Sequence, residues 1–219
     1  MDQSKMTESN IAAIRKDYKL RSLLEKYADP DPVRQFQQWW NEALLSNIEE
    51  PNAMTLATCD KHGKPSARIV LLKGLSNEGF VFFTNYESRK GKELLENPQA
   101  SLVFFWKELE RQVRIEGLVT KTTEEKSTEY FLSRPGPSKI AAWSSPQSAI
   151  ISNRDELEKS VLDLQQKFSN VEVPRPAHWG GYIVKPTLLE FWQGRPDRLH
   201  DRLQYTIKKE EWVMQRLAP

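Results

Sequence analysis

Residues 189–202 read LEFWQGRPDRLHDR. Leu189, Phe191 and Trp192 are strand formers, and Gly194, Pro196 and Asp197 are turn residues. The stretch therefore predicts a strand over Leu188–Gln193, a tight connection, and a second strand over Arg198–Ile207. Successive side chains of a strand point to opposite faces. Alternation then sets Arg198, His200 and Arg202 on one side, with Leu199, Asp201 and Leu203 on the other. Two guanidiniums and an imidazole on one face make a poor core and a good anion site. A solvated strand face would carry the same charges, so the triplet alone does not decide.

Upstream, strand-like runs dominate. Ala53–Cys59, Ser66–Lys73, Phe80–Thr84, Ala100–Trp106 and Arg111–Thr120 are separated by short polar connections, with Gly74–Gly79 read as a turn. Five such runs predict an antiparallel barrel and not a nucleotide-binding parallel sheet. Trp179–Lys185 and Glu211–Leu217 read as further strands. Helices interrupt them. Asp31 followed by Pro32 predicts a cap for a helix carrying Val33, Phe36, Trp40, Leu44 and Ile48 on one face. Ser88 opens a short helix, Thr123–Leu132 is another, and Ser152 with Asp155 suggests a capping box for a helix reaching Phe168. From Ile11 a further short helix is expected. The loop Ser133–Ser138 carries too much proline to be regular.

The 219 residues suit one large domain or two small ones. Thirty-two basic and thirty acidic residues leave a net charge of +2, which supplies no general field for nucleic acid or an anionic membrane. The single cysteine, Cys59, excludes an internal disulfide, fits a reducing compartment, and sits in an apolar run as a small hydrophobe. No run approaches the ~20 apolar residues of a membrane span, and the polar N-terminus is unlike a secretory signal. A cytoplasmic location is the expectation. Among the three histidines no spacing suits zinc, and His62 and His178 are expected to be exposed or structural.

Anion binding must therefore be local. Four basic clusters stand apart in sequence. Arg68 and Lys73 fall on opposite faces of one predicted strand, serving either different anions or opposite walls of one site. Ser88, Arg89 and Lys90 open a helix, where unpaired backbone N–H groups favour phosphate. Arg134 and Ser138 lie in the proline-rich loop, with Tyr130 one helical turn before Arg134. Arg198, His200 and Arg202 complete the set. Two phosphate groups would account for so many donors, and no dinucleotide or Walker motif is present.

The string Glu190-Phe191-Trp192-Gln193, four variable residues, then Arg198-Leu199-His200-Asp201-Arg202 resembles the C-terminal signature of the pyridoxine (pyridoxamine) 5'-phosphate oxidases. The likeness extends from about Ile14 to Pro219. It implies an FMN-binding split β-barrel, mainly β with flanking helices, in a homodimer whose flavin is contacted by both chains. It implies oxidation of pyridoxamine 5'-phosphate or pyridoxine 5'-phosphate by O2 to pyridoxal 5'-phosphate. By the same resemblance FMN is held by Arg68, Ile69, Val70, Leu71, Leu72, Lys73, Phe83, Thr84, Arg89 and Lys90, with Gln112, Gln147, Ser148, Trp192 and Arg202. The substrate phosphate would meet Lys73, Tyr130, Arg134 and Ser138. Arg198, Leu199 and His200 would lie against the substrate ring, with Arg198 and His200 catalytic. Residues 1–20 would be a flexible segment closing over the site through Arg15 and Tyr18, and 21–219 one domain. Two other readings are compatible with parts of the pattern: a different FMN split-barrel flavoprotein such as a flavin reductase, and a non-enzymatic module binding phosphorylated ligands.

Overall fold

Strand β7 (Trp179–Gln193) is the spine of the sheet, and its two edges are used differently. Along one edge, Tyr182 to Gln193 pair with β6 (Arg111–Lys121). The other edge is divided. Trp179 to Val184 pair with β4 (Gly79–Asn85), whereas Leu188 to Gln193 pair with β8 (Asp201–Lys208). Pro186 stands at this fork, and the ladder to β6 shifts register beside it, between Glu116 and Gly117. A residue with no N–H to donate fits such a break. The two strands expected over 179–193 are thus one continuous strand that changes neighbours. The computed structural model describes residues 17–219.

The remaining strands are β1 (Ala53–Cys59), β2 (Pro65–Leu71), β3 (Gly74–Ser76), β5 (Gln99–Trp106) and β9 (Glu211–Arg216). The order is β2-β1-β5-β6-β7-β4-β3, with β9 outside β8, and every pairing is antiparallel. Although far apart in this order, β2 and β4 touch, so the sheet curls. The expected turn over 74–79 is shorter than read, because Gly74, Leu75 and Ser76 pair with β4.

Helix α1 (Pro32–Leu44) closes the core. The Asp31 side chain accepts from the Val33 and Arg34 amides, and Pro32 occupies the first turn, where a missing N–H costs nothing. Removing such a cap costs about 1 kcal/mol. Phe36 is fully buried, edge-on to Phe80 at 4.9 Å and tilted against Phe104 at 5.1 Å. Met54, Leu56, Leu102, Phe104, Val113 and Ile115 supply the facing layer by strand alternation.

Helices α2 (Arg89–Glu96), α3 (Glu124–Ser133), α4 (Gly136–Ser144) and α5 (Arg154–Lys167) lie in the connections. Two differ from expectation. The proline-rich loop is the start of α4, because Pro137 falls in its first turn, where a helix tolerates it. The cap of α5 is Asn153, which accepts from Glu156 N at 3.0 Å, while Glu156 reaches back to Ser152 N at 3.1 Å.

The helix expected from Ile11 does not extend into the described residues beyond a single turn, Glu25–Tyr27. Distant acceptors take the amides a helix would use. Lys19 N and Leu20 N donate to Glu110 Oε2 at 2.8 and 3.1 Å, and Leu23 N donates to Asp201 Oδ2 at 3.0 Å. Arg216 adds bonds to Glu25 and to Leu23 O. Residues 1–16, including Arg15, lie outside the described residues.

Candidate active site

Three of the four basic clusters meet in one cavity of about 1000 Å³. Strand β2 supplies Arg68, Ile69, Val70 and Leu71, with Lys73 just beyond its end. Strand β4 supplies Phe83 and Thr84, and α2 supplies Arg89 and Lys90. Tyr130 and Arg134 come from the end of α3, Ser138 from α4, and Gln147 and Ser148 from the following loop. Arg68 and Lys73 therefore occupy walls of a single site, one of the two alternatives left open by alternation. Leu72 does not join them: its side chain is buried in the core.

The electrostatics of this cavity favour an anion. Lys90 is buried, and its Nζ donates to Thr84 Oγ1 at 3.1 Å, Ser88 Oγ at 3.2 Å and Gln147 Oε1 at 3.2 Å. All three acceptors are neutral. Burial, with Arg68 nearby, pulls its pKa down to about 8. Arg134 lies over the Trp179 ring, its Cζ 4.6 Å from the centroid. Its Nη1 is buried and has no hydrogen-bond partner among the described residues. Below it Phe83 and Tyr130 stack at 4.0 Å, and Phe83 stacks on Trp179 at 5.5 Å. A buried donor without an acceptor is costly, and a bound anion would remove that cost. The buried ammonium of Lys90 and the half-buried guanidinium of Arg134 fit a phosphorylated cofactor and a second phosphorylated ligand.

The fourth cluster lies elsewhere, and its geometry corrects the alternation argument. Arg198 is not on a strand. Pro196–Arg198 form a 3₁₀ turn in which Asp197 and Arg198 have φ of 55° and 61°, and β8 begins only at Asp201. Left-handed backbone at two successive non-glycine residues is uncommon and costs of order 1–3 kcal/mol each, a strain found mostly at functional sites. Arg198 and Leu199 are exposed. His200 packs against Trp192, ring centroids 4.6 Å apart, with Tyr18 edge-on to Trp192 at 5.7 Å. Its Nδ1 accepts from Arg195 N at 3.1 Å, so the neutral ring carries its proton on Nε2. Burial and the Arg198 charge hold its pKa below the ordinary value, which favours that neutral form. Gln112, Trp192 and Arg202 are aligned as cross-strand neighbours on β6, β7 and β8. Arg202 is already engaged, with Nε on Glu190 Oε1 and Nη1 on Ala218 O, both at 2.8 Å.

These two groups stand at opposite ends of β7. Trp179 lines the cavity and Trp192 does not. At ~3.3 Å per residue, positions 179 and 192 lie roughly 40 Å apart along the strand. None of Gln112, Trp192, Arg198, Leu199, His200 or Arg202 lines the cavity of this protomer. His178, read as structural or exposed, bonds Ala142 O through Nε2 at 3.0 Å. No metal-binding group of His, Cys, Asp or Glu occurs among the described residues, and none of their helices is long and apolar enough to cross a membrane. Reading the sequence missed Trp179 and Glu93. Glu93, four residues after Arg89 on α2, was legible only as an i,i+4 ion pair.

Two family descriptions match the chain: "Pyridoxamine 5'-phosphate oxidase" over residues 41–168, and "Pyridoxine 5'-phosphate oxidase C-terminal dimerisation region" over 179–219. A pyridoxine/pyridoxamine 5'-phosphate oxidase of Cyanothece sp. is 55% identical over 96% of this chain and 99% of its own length. One from Salinibacter ruber is 52% identical over 96% and 100%. Among solved structures, PhzG from Burkholderia lata with tetrahydrophenazine-1-carboxylic acid superposes with a TM-score of 0.86 at 29% identity, over 92% of this chain and 100% of that one. A pyridoxamine 5'-phosphate oxidase-related, FMN binding protein of Nostoc punctiforme shares the fold, with a TM-score of 0.68 at 16% identity, over 87% and 100%. The expected split β-barrel architecture is thereby established.

Proposed function

The chain belongs to the pyridoxamine 5'-phosphate oxidase family, and from that premise we propose that it oxidises pyridoxamine or pyridoxine 5'-phosphate to pyridoxal 5'-phosphate, with FMN as cofactor and O2 as final oxidant. Hydrogen peroxide is the second product, with ammonia released from the amine. The observation that carries this reading is the buried, unpartnered Nη1 of Arg134 in the same cavity as the buried ammonium of Lys90. One cavity with two such cations suits two phosphates, one on the cofactor and one on the substrate.

In this reading Arg68, Arg89 and Lys90 hold the FMN phosphate, and Thr84 and Gln147 orient Lys90. Ile69, Val70, Leu71 and Phe83 line the flavin's side of the cavity, and Ser148 closes it. Lys73, Tyr130, Arg134 and Ser138 hold the substrate phosphate. When held there, FMN would supply the redox chemistry, as acceptor of a hydride equivalent from the substrate C4' carbon and source of two electrons for O2. The protein's part is orientation and charge.

Gln112, Trp192, Arg198, Leu199, His200 and Arg202 act in the same site from the partner of a homodimer. Support comes from their distance along β7 from the cavity of their own chain, and from the dimerisation description matched over 179–219. His200 donates from Nε2 to the substrate ring, because Nδ1 is occupied by the Arg195 amide. Arg198 lays its planar guanidinium against that ring. Arg202 contributes from beside Trp192, oriented by Glu190 on its Nε and Ala218 O on its Nη1, with Nη2 left to reach the flavin. Tyr18 stands beside the His200 ring and would border the substrate ring, with 21–219 as one domain. A cytoplasmic setting suits a chain with one cysteine.

The test is to add pyridoxamine 5'-phosphate in air to FMN-loaded protein. Aldehyde and hydrogen peroxide should appear in equal amounts. Flavin turnover driven by NAD(P)H, with no aldehyde formed, would replace this reading with a flavin reductase.

A further inference from the structure

Glu93 is a buried carboxylate inside a cluster of cations that otherwise suits an anion. It sits on α2, one turn beyond Arg89, and four side chains from three elements converge on it. Arg89 Nε donates to its Oε1 at 2.8 Å. On Oε2 it accepts from Ser66 Oγ at 2.6 Å, from Thr58 Oγ1, and from Arg68 Nη2 at 3.3 Å. Thr58 belongs to β1, Ser66 and Arg68 to β2, and Arg89 to α2. Burial alone would raise its pKa; the bonds from Ser66, Thr58, Arg89 and Arg68 outweigh burial and hold it at about 2. It is therefore ionised throughout the working range.

Electrostatics by itself makes Glu93 a liability. A negative charge beside an anion site opposes the anion, and Arg68 and Arg89 spend part of their charge on it. Geometry gives the opposite balance. Arg68 and Arg89 are long side chains, each losing rotamer freedom when fixed. They come from different elements, and among the described residues no other group bridges both guanidiniums. Arg68 Nη1 also donates to Leu56 O at 3.1 Å and Thr58 Oγ1 at 2.6 Å, and its Nη2 to Ser66 Oγ. Glu93 thus ties Arg89 into a network that already holds Arg68, leaving Arg68 Nε and the Arg89 Nη groups for the cavity that both residues line.

We propose that Glu93 is a positioning residue that preorganises Arg68 and Arg89 for the phosphate of the flavin, so that the site selects FMN over unphosphorylated riboflavin. This rests on the function proposed above. It goes beyond it in assigning the selectivity to a carboxylate that touches neither flavin nor substrate.

The experiment measures flavin dissociation constants of the apoprotein by quenching of flavin fluorescence, for FMN and for riboflavin. The variants are Glu93→Gln and Glu93→Asp. Glu93→Gln keeps the shape and removes the charge. Preorganisation predicts that FMN binds about 10-fold or more weakly, the scale of one lost charge-assisted bond, while riboflavin changes by less than about 2-fold. Glu93→Asp keeps the charge but withdraws it by one methylene, and should also weaken FMN selectively. Unchanged or tighter FMN binding in Glu93→Gln would overturn the proposal and leave only charge repulsion. Equal weakening of both flavins would overturn it too, as loss of general structure. If Glu93→Gln does not fold, Glu93→Asp with wild-type FMN affinity overturns it. Wild-type protein that binds neither flavin would instead defeat the functional reading on which the proposal stands.

Discussion

Tyr18 lies over Gly194 so closely that a Cβ built at Gly194 would fall 2.6 Å from Tyr18 Cγ. Nothing larger than glycine fits beneath the ring. The same ring meets Trp192 at 5.7 Å and His200 at 6.0 Å. The chain just after Tyr18 is pinned by Glu110, through Lys19 N and Leu20 N, and by Asp201, through Leu23 N. Glycine at 194 thus acts as the seat on which the Tyr18 ring rests beside His200.

Gly194→Ala should lift Tyr18 from this seat while leaving the flavin cavity intact. We expect kcat/KM to fall at least ~10-fold with flavin content unchanged, in line with the cost of misplacing groups around a reacting ring. Steady-state kinetics with an absorbance measurement of bound flavin checks this. Full activity would mean that Tyr18 does not serve the site.

Arg68→Ala and Arg134→Ala should separate the two phosphates. Arg68→Ala removes a charge-assisted contact worth ~1.5–3 kcal/mol and should release FMN, giving a paler protein. Arg134→Ala should keep its colour and raise KM for the substrate. Loss of flavin from Arg134→Ala would show that both arginines serve one phosphate.

Lys90 gives a pH dependence of defined sign. Its pKa is depressed from 10.5 to about 8 in the folded chain, so between these values the unfolded chain binds more protons. Stability of the apoprotein should therefore rise with pH across that window. FMN affinity should move the other way. Above about pH 8 the amine is neutral and must regain a proton to meet the phosphate, weakening FMN by up to about tenfold per pH unit. Titrating FMN between pH 7 and 10, beside apoprotein melting curves, checks both signs. Lys90→Arg, which stays charged, should flatten the affinity profile.

Local chemistry was legible where local rules govern. Asp31-Pro32 fixed the start of α1, and Val33 and Phe36 began its buried face, but that face continues through Trp39 and Ala43, whereas Trp40 is half-buried, Leu44 is exposed and Ile48 lies beyond the helix. Alternation gave β1 and β5. Reading failed where a distant group decides. Residues 17–24 have a helical appearance, but Glu110 and Asp201 take their amides from far along the chain. Arg198 looked like a strand residue because nothing in its side chain announces a left-handed backbone. The basic clusters were each visible, yet their grouping as three and one depends on the curl of the sheet and the length of β7.

That length has a genetic consequence. If the two ends of β7 serve different active sites of a dimer, two chains with different lesions can repair each other. A chain carrying Arg134→Ala is damaged at its cavity, and one carrying His200→Ala at its far end. In a mixed dimer both lesions fall in one site and the other site is whole. Random pairing of equal amounts makes half the dimers mixed, so about a quarter of all sites should have wild-type kcat/KM although neither parent does. Unfolding and refolding the two impaired proteins together should recover that activity at substrate concentrations well below the raised KM, and refolding each alone should not.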